Sequence, residues 1–301
     1  MARKKKGKKK KVKSGLRTTL TVFAVVFSAA ILIHRIVEGK SPATIDKSIV
    51  QLMRQPAEQA NSEPVGDLTG LVEIPARLTD RKEIILQRRG YTVSYNSDLK
   101  IPNWVAWKLT KQRLNGKAKR TDEFLPDPDL PVSARSLDSD YSGSRYDRGH
   151  MAPAGDMKWD KLAMAESFYL SNMCPQASNL NRGDWRILEE KCRDWARRGE
   201  DFYIVCGPVL KEGVKHKRIG RNKVTVPEGF FKVLLVLGDK ERAVGFLYPN
   251  DDCEADLSTY AVSVDSVEAV TGIDFYASLE DDVEQRLEAE NAIRQFVGRK
   301  K

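Results

Sequence analysis

The stretch that decides the fold is Tyr146-Asp147-Arg148-Gly149-His150-Met151-Ala152-Pro153. It holds one of only three histidines in 301 residues, with an Asp, an Arg and a Gly beside it. Histidine is the usual general base near neutral pH. Arginine suits a phosphate oxygen, and glycine lets a backbone approach a ligand closely. The other two histidines have plainer settings. His34 borders an apolar segment, and His216 lies among Lys215, Lys217 and Arg218, where a solvated loop is the simple reading.

Two more blocks follow. The first is Phe168-Tyr169-Leu170-Ser171-Asn172-Met173-Cys174-Pro175-Gln176, whose start (168–172) reads as a short strand. The second is Ser178-Asn179-Leu180-Asn181-Arg182-Gly183-Asp184-Trp185, which opens a helix over Asp184–Arg198. Trp185, Leu188, Cys192 and Trp195 share one face of that helix. Asn179 reads as a turn or cap residue. Glu189 and Arg193, four apart, read as an exposed ion pair worth a few tenths of a kcal/mol.

Around these blocks, 91–95 (YTVSY) and 104–110 (WVAWKLT) alternate apolar and polar residues as strands do. Residues 201–207, 230–238 and 242–249 read as strong strands, while 262–270 and 283–297 carry helical spacing. Residues 114–149 are rich in Asp, Pro, Ser and Gly and read as a long irregular segment of the kind that carries function. Strands joined without regular intervening helices predict an α+β fold with a mostly antiparallel sheet flanked by helices.

Charge separates the ends of the chain. The net charge is +9, and residues 1–13 alone hold nine Lys or Arg and no acid, so residues 14–301 are formally neutral. The basic pI therefore belongs to a tail, and a globally basic nucleic-acid-binding surface is excluded. Sixteen uncharged residues, Thr18–Ile33, follow. As a helix they would rise about 24 Å, short of a hydrocarbon core of roughly 30 Å but within reach of snorkelling flanks. A poor cleavage site, His34-Arg35-Ile36-Val37, favours an uncleaved signal anchor over a signal peptide. Lys/Arg asymmetry places the tail in the cytoplasm and the rest beyond the membrane. The expected organisation is a basic tail (1–17), a membrane-anchor helix (18–34), a linker (35–66) with one helical turn near Ile49–Met53, and a globular domain (67–301). A mitochondrial address is the second choice.

The three blocks, in this order and spacing, resemble the DNA/RNA non-specific endonucleases, the family of endonuclease G and secreted sugar-non-specific nucleases. The resemblance covers roughly residues 70–300 and implies a ββα-metal core hydrolysing phosphodiester bonds of DNA, RNA or both with little base specificity. It implies His150 as general base and Asn181 as the single protein ligand of Mg²⁺, with Mn²⁺ as a substitute. It implies Glu189 as the holder of metal-bound water, and Arg148 and Arg193 near the scissile phosphate. It implies Asn172 in the supporting shell. Asp147 fits an orienting role beside His150, and Arg120 and Arg182 are further candidates for substrate contact.

Physical chemistry agrees. A hard cation with one neutral amide ligand keeps most of its water, as Mg²⁺ prefers. There are too few His and Cys for the zinc-dependent version of such a core. Two other readings compete: a catalytically silent nucleic-acid-binding module on the same fold, and a membrane-anchored interaction protein whose lysine tail binds anionic lipid. Cys174, Cys192, Cys206 and Cys253 allow three pairings if all are oxidised, though Cys192 on the apolar helix face suits a small core residue equally.

Overall fold

Alternate residues of the apolar runs face opposite ways, and both faces are covered. The computed structural model describes Leu68, Gly70–Cys253 and Ala255–Val297. The tail, the apolar segment and the linker, with the turn expected near Ile49–Met53, lie outside the described residues. Among the described residues no helix is long and apolar enough to cross a membrane.

Seven strands form one antiparallel sheet: β1 (Ile84–Gln87), β2 (Thr92–Asn96), β3 (Ile101–Leu109), β6 (Phe202–Val209), β9 (Gly229–Val236), β10 (Arg242–Pro249) and β11 (Ala261–Val262). That is their order across the sheet. Two small antiparallel pairs stand apart: β4 (Tyr146–His150) with β5 (Met173–Ala177), and β7 (Arg218–Ile219) with β8 (Val224–Thr225).

In β3, β6 and β9 the period-2 pattern divides two cores. Trp104, Ala106, Val205, Phe231, Val233 and Leu235 pack on one side. Val105, Trp107, Ile204, Cys206, Phe230 and Leu234 pack on the other. Each fully buried Leu, Val or Phe is worth about 1.5–3 kcal/mol. Sheets covered on both faces read as near-continuous apolar runs, which is why these strands are plain in the sequence. The first core is covered by the helices Val264–Thr271 and Asp281–Ala289. The second is covered by the helix Asp184–Arg197, which buries Trp185, Leu188, Cys192 and Trp195 as its spacing predicts.

Several expectations are corrected. Residues 114–149 are not irregular to their end: after a short helix at Asp138–Tyr141, Tyr146 begins β4, so His150 closes a strand. Phe168–Asn172 is not a strand. It makes a single bridge, Leu125 to Tyr169, then a 3-10 turn closed by Asn172 N donating to Tyr169 O (2.9 Å). The C-terminal helical pattern is two helices, Asp281–Ala289 and Ile293–Val297. Asn291 breaks it, because its side chain donates to Ala261 O (2.8 Å) and accepts from Ile293 N (3.2 Å). The four cysteines are unbridged and buried.

Where the helices Val264–Thr271 and Asp281–Ala289 meet, oxygens of Asp265, Glu268 and Glu288 lie within 4.8 Å of one another, and Glu288 is 5% exposed. Burial first, then the neighbouring carboxylates, pushes Glu288 up to about 9 and Glu268 up to about 7. A raised folded value means stability that is present below the ordinary carboxylate range and lost as pH rises through about 7 to 9. Melting temperature should therefore fall from pH 5 to pH 9. Glu288→Gln should reduce that fall by roughly 2–4 °C, the shift about 1 kcal/mol produces in a domain this size. Calorimetry at the two pH values checks it, and an unchanged fall would refute the assignment.

Candidate active site

Strand β4 carries the motif. It pairs with β5 in the register Asp147–Gln176, Arg148–Pro175, Gly149–Cys174 and His150–Met173. Gly149 is required there, since a Cβ would lie 2.6 Å from that of Gln176. Beyond His150 the chain turns on the fully buried Asn172. Its Oδ1 accepts from Ala152 N, and its Nδ2 donates to Ala152 O and Ser167 O, all at 2.9 Å. Below, Trp185 Nε1 donates to the His150 carbonyl (3.3 Å). The imidazole stands edge-on to Phe168 at 5.0 Å, with Phe124 at 5.7 Å. Its Nε2 is buried without a hydrogen-bond partner.

Asn181 sits at a bend. It belongs to the short helix Ser178–Arg182, and Gly183 leaves helical geometry (φ −101°, ψ −113°) before the long helix starts at Asp184. Asp147 fixes the bend. It accepts from Ser178 Oγ (3.0 Å), Asn181 Nδ2 (3.0 Å) and Arg182 Nε and Nη2 (2.8 and 3.0 Å). Burial alone would raise this carboxyl, but those donors outweigh it and hold the group below the usual range. With Nδ2 engaged by Asp147, the side-chain carbonyl oxygen is the Asn181 atom that could hold a metal.

The charges are arranged around the ring. Burial lowers His150 to about 3, with Arg120 and then Arg148 adding to the shift, so the imidazole is neutral at neutral pH. Arg148 lies over the Phe124 ring at 4.4 Å and pairs with Asp138. Arg120 lies over Phe168 at 5.0 Å and pairs with Asp122. Burial raises Glu189 to about 7, against the pull of Lys232 and Arg193.

His150, Arg148, Asp147, Asn181, Glu189, Arg120 and Arg182 all line one cavity of about 460 Å³. Arg193 and Asn172 do not. The exposed Glu189–Arg193 pair read from the sequence is replaced by a half-buried one between Arg193 Nη1 and Asp156 Oδ1 (3.0 Å). Asp156 Oδ2 in turn accepts from Trp107 Nε1 (3.1 Å). His216 is no bystander of a solvated loop, because its Nδ1 lies 2.9 Å from Glu228 Oε1. Sequence reasoning missed Phe124, Tyr146 and Arg186 as walls of the cavity. It also missed Lys232, 1% exposed and held between the rings of Trp107 (5.1 Å) and Trp185 (4.4 Å). One charge inside the run FFKVLLV was the available signal.

The profile of the DNA/RNA non-specific endonuclease family matches residues 71–282. A nuclease of Nostoc sp. is 36% identical over 227 residues, covering 71% of this chain and 81% of that protein. The mouse protein named nuclease EXOG, mitochondrial, is 35% identical over 251 residues, covering 78% of this chain but 66% of its own length. Human endonuclease G, mitochondrial, is 33% identical over 205 residues, covering 64% of this chain and 69% of that protein. Among solved structures, that of the EndoG/EndoGI complex, described as showing the mechanism of EndoG inhibition, matches with a TM-score of 0.64 and 29% identity. It covers 70% of this chain and 92% of that one.

Proposed function

The chain belongs to the DNA/RNA non-specific endonuclease family and is a phosphodiester-hydrolysing endonuclease; we propose that His150 is its general base and that Asn181 holds its metal, Mg²⁺. The observation that carries the proposal is the convergence of His150, Asn181, Glu189, Arg120 and Arg148 on one cavity. The donor set fits a hard, water-rich cation: one amide oxygen oriented by Asp147, with Glu189 facing the same space. Bound there, Mg²⁺ would supply charge neutralisation for the phosphate and the leaving oxygen.

This chain's own residues do the rest. His150 takes a proton from the attacking water. Its neutral form is ready, and the two guanidiniums that depress it, Arg120 and Arg148, are those offered to the substrate. A phosphate between them offsets their field and makes the ring a stronger base where one is needed. Phe168 holds the ring edge-on, with Phe124 tilted against it. Asp147 orients Asn181, and Glu189, facing the same cavity, would help hold the hydrated metal. Asn172 positions His150 through the turn at Ala152. Arg193 acts at one remove through Asp156, and Arg182 serves Asp147 before substrate. The cavity's arginines suit phosphate oxygens, and contacts to the backbone carry no sequence information, which fits cleavage of DNA, RNA or both without sequence preference.

We assign the endonuclease domain to 67–301. Residues 18–34 remain the proposed anchor, with the domain beyond the membrane, and the mitochondrial names of the relatives favour the second address. Incubation of the full chain with plasmid DNA and with RNA tests the activity. Cleavage is expected with Mg²⁺ and its loss with EDTA. Cleavage that survives EDTA, or none with Mg²⁺ or Mn²⁺, would overturn the reading.

A further inference from the structure

Between Lys211 and Lys223 the chain carries six Lys or Arg and one Glu, in a protein that is formally neutral outside its N-terminal tail. Lys215, Lys217, Arg218, Arg221 and Lys223 are all exposed. None is ion-paired with a carboxylate among the described residues. These residues form and flank the β7–β8 hairpin.

The hairpin is not a loose charged loop. At its tip Gly220 takes φ +64° and leaves no room for a Cβ, which would lie 2.3 Å from that of Asp140. Asn222 donates from N and Nδ2 to the two Asp140 oxygens (2.9 and 2.8 Å). At its base Val226 N donates to Lys217 O (2.9 Å), Thr225 N donates to Leu99 O (3.0 Å), and His216 pairs with Glu228. The contacts run on into the cavity. Asp140 belongs to the helix Asp138–Tyr141, whose Asp138 pairs with Arg148. Lys217 Nζ lies over the Tyr146 ring at 4.7 Å and 3.3 Å from its hydroxyl, and Tyr146 is a wall of the cavity.

We propose that the Lys215–Lys223 hairpin is a phosphate-gripping arm that holds the polynucleotide backbone beyond the scissile bond. The proposal rests on the nuclease reading of the neighbouring cavity. Exposed unpaired cations on a rigid support suit phosphates, because little side-chain and loop ordering is left to oppose binding. Their continuity with Tyr146 and Arg148 puts them on the path of a strand leaving the cavity. Contacts to the backbone carry no sequence information, as a non-specific enzyme requires. They also give a neutral domain the local positive patch that polynucleotide binding needs.

The test uses the full chain in EDTA and a fluorescent DNA duplex of about 20 bp, with binding read by anisotropy across a salt titration. The lysine tail is common to every variant, so differences between variants report the hairpin. The combined variant Lys215→Gln, Arg218→Gln, Arg221→Gln should bind at least about tenfold more weakly near physiological salt. Its log–log salt slope should be shallower by about two to three, close to one for each phosphate no longer neutralised. The charge-keeping variant Lys215→Arg, Arg218→Lys, Arg221→Lys should bind as the parent does. A Gln variant with the parental affinity and slope would overturn the arm, as would a charge-keeping variant that weakens as much as the Gln one. Cleavage by the parent in Mg²⁺ reports separately on the catalytic reading. If the parent cuts nothing while the Gln variant loses its slope, the arm stands and the nuclease assignment falls.

Discussion

Replacing His150 by alanine is expected to slow cleavage by about 10²–10⁴-fold, the range for loss of a general base. The fold should survive, because the strand is fixed by backbone pairing with β5 and by the buried Asn172, not by the imidazole. Removing the ring also removes a buried nitrogen that has no partner, and a buried polar group without a partner is destabilising. Circular dichroism should therefore be unchanged and the melting temperature close to that of the parent. His216→Ala is the control: its ring is engaged with Glu228, away from the cavity. A His150→Ala protein that cuts at the parental rate, beside a His216→Ala protein that does not, would move the base elsewhere.

Asn181→Ala should act through the metal. The loss of the proposed ligand atom should cost at least about 10²-fold in rate at fixed Mg²⁺, since even outer partners of a metal site are worth 10–100-fold. Raising Mg²⁺ should recover part of the rate, and the half-saturating concentration should shift upward. Titration of Mg²⁺ against initial rate measures both. An unchanged midpoint would transfer the ligand role to another cavity residue, with Glu189 the first to examine. Asp147 should behave differently: Asp147→Asn keeps the shape but turns an acceptor of four hydrogen bonds into a weaker one, so its effect should track the disorder of Asn181.

The parts of this architecture that were legible in the sequence are those where one physical demand acts alone. The helix Asp184–Arg197 must bury one stripe, and Trp185, Leu188, Cys192 and Trp195 announce it. Strands β3, β9 and β10 bury both faces, so composition reveals them. Strand β4 obeys two demands at once. It pairs with β5 through its backbone and presents Asp147, Arg148 and His150 to a cavity, so its side chains do not alternate in hydrophobicity and it reads as loop. His150 stood out as one of three histidines, Asn181 only through the resemblance of its block to the endonuclease family, and both line the cavity. Arg193 was placed on the wrong partner because helical spacing shows Glu189 four residues away, while Asp156 is brought close only by the tertiary fold. The break at Asn291 was hidden for a similar reason: its competing partner, the Ala261 carbonyl, is 30 residues distant.

The four thiols are each embedded in a different place: Cys174 in β5 beneath the motif strand, Cys192 on the long helix, Cys206 in the middle of the sheet, and Cys253 after β10. Burial holds all four above their ordinary range, most strongly at Cys174, so the native chain carries almost no thiolate to react. That makes them internal clocks. In a pulse of alkylating reagent each sulfur is modified only when its own element opens, and the order in which the four acquire label ranks the local opening free energies of motif, helix, sheet and loop. A cavity that opens ahead of the sheet would label Cys174 while Cys206 stays silent, and added substrate would then slow the first without touching the second.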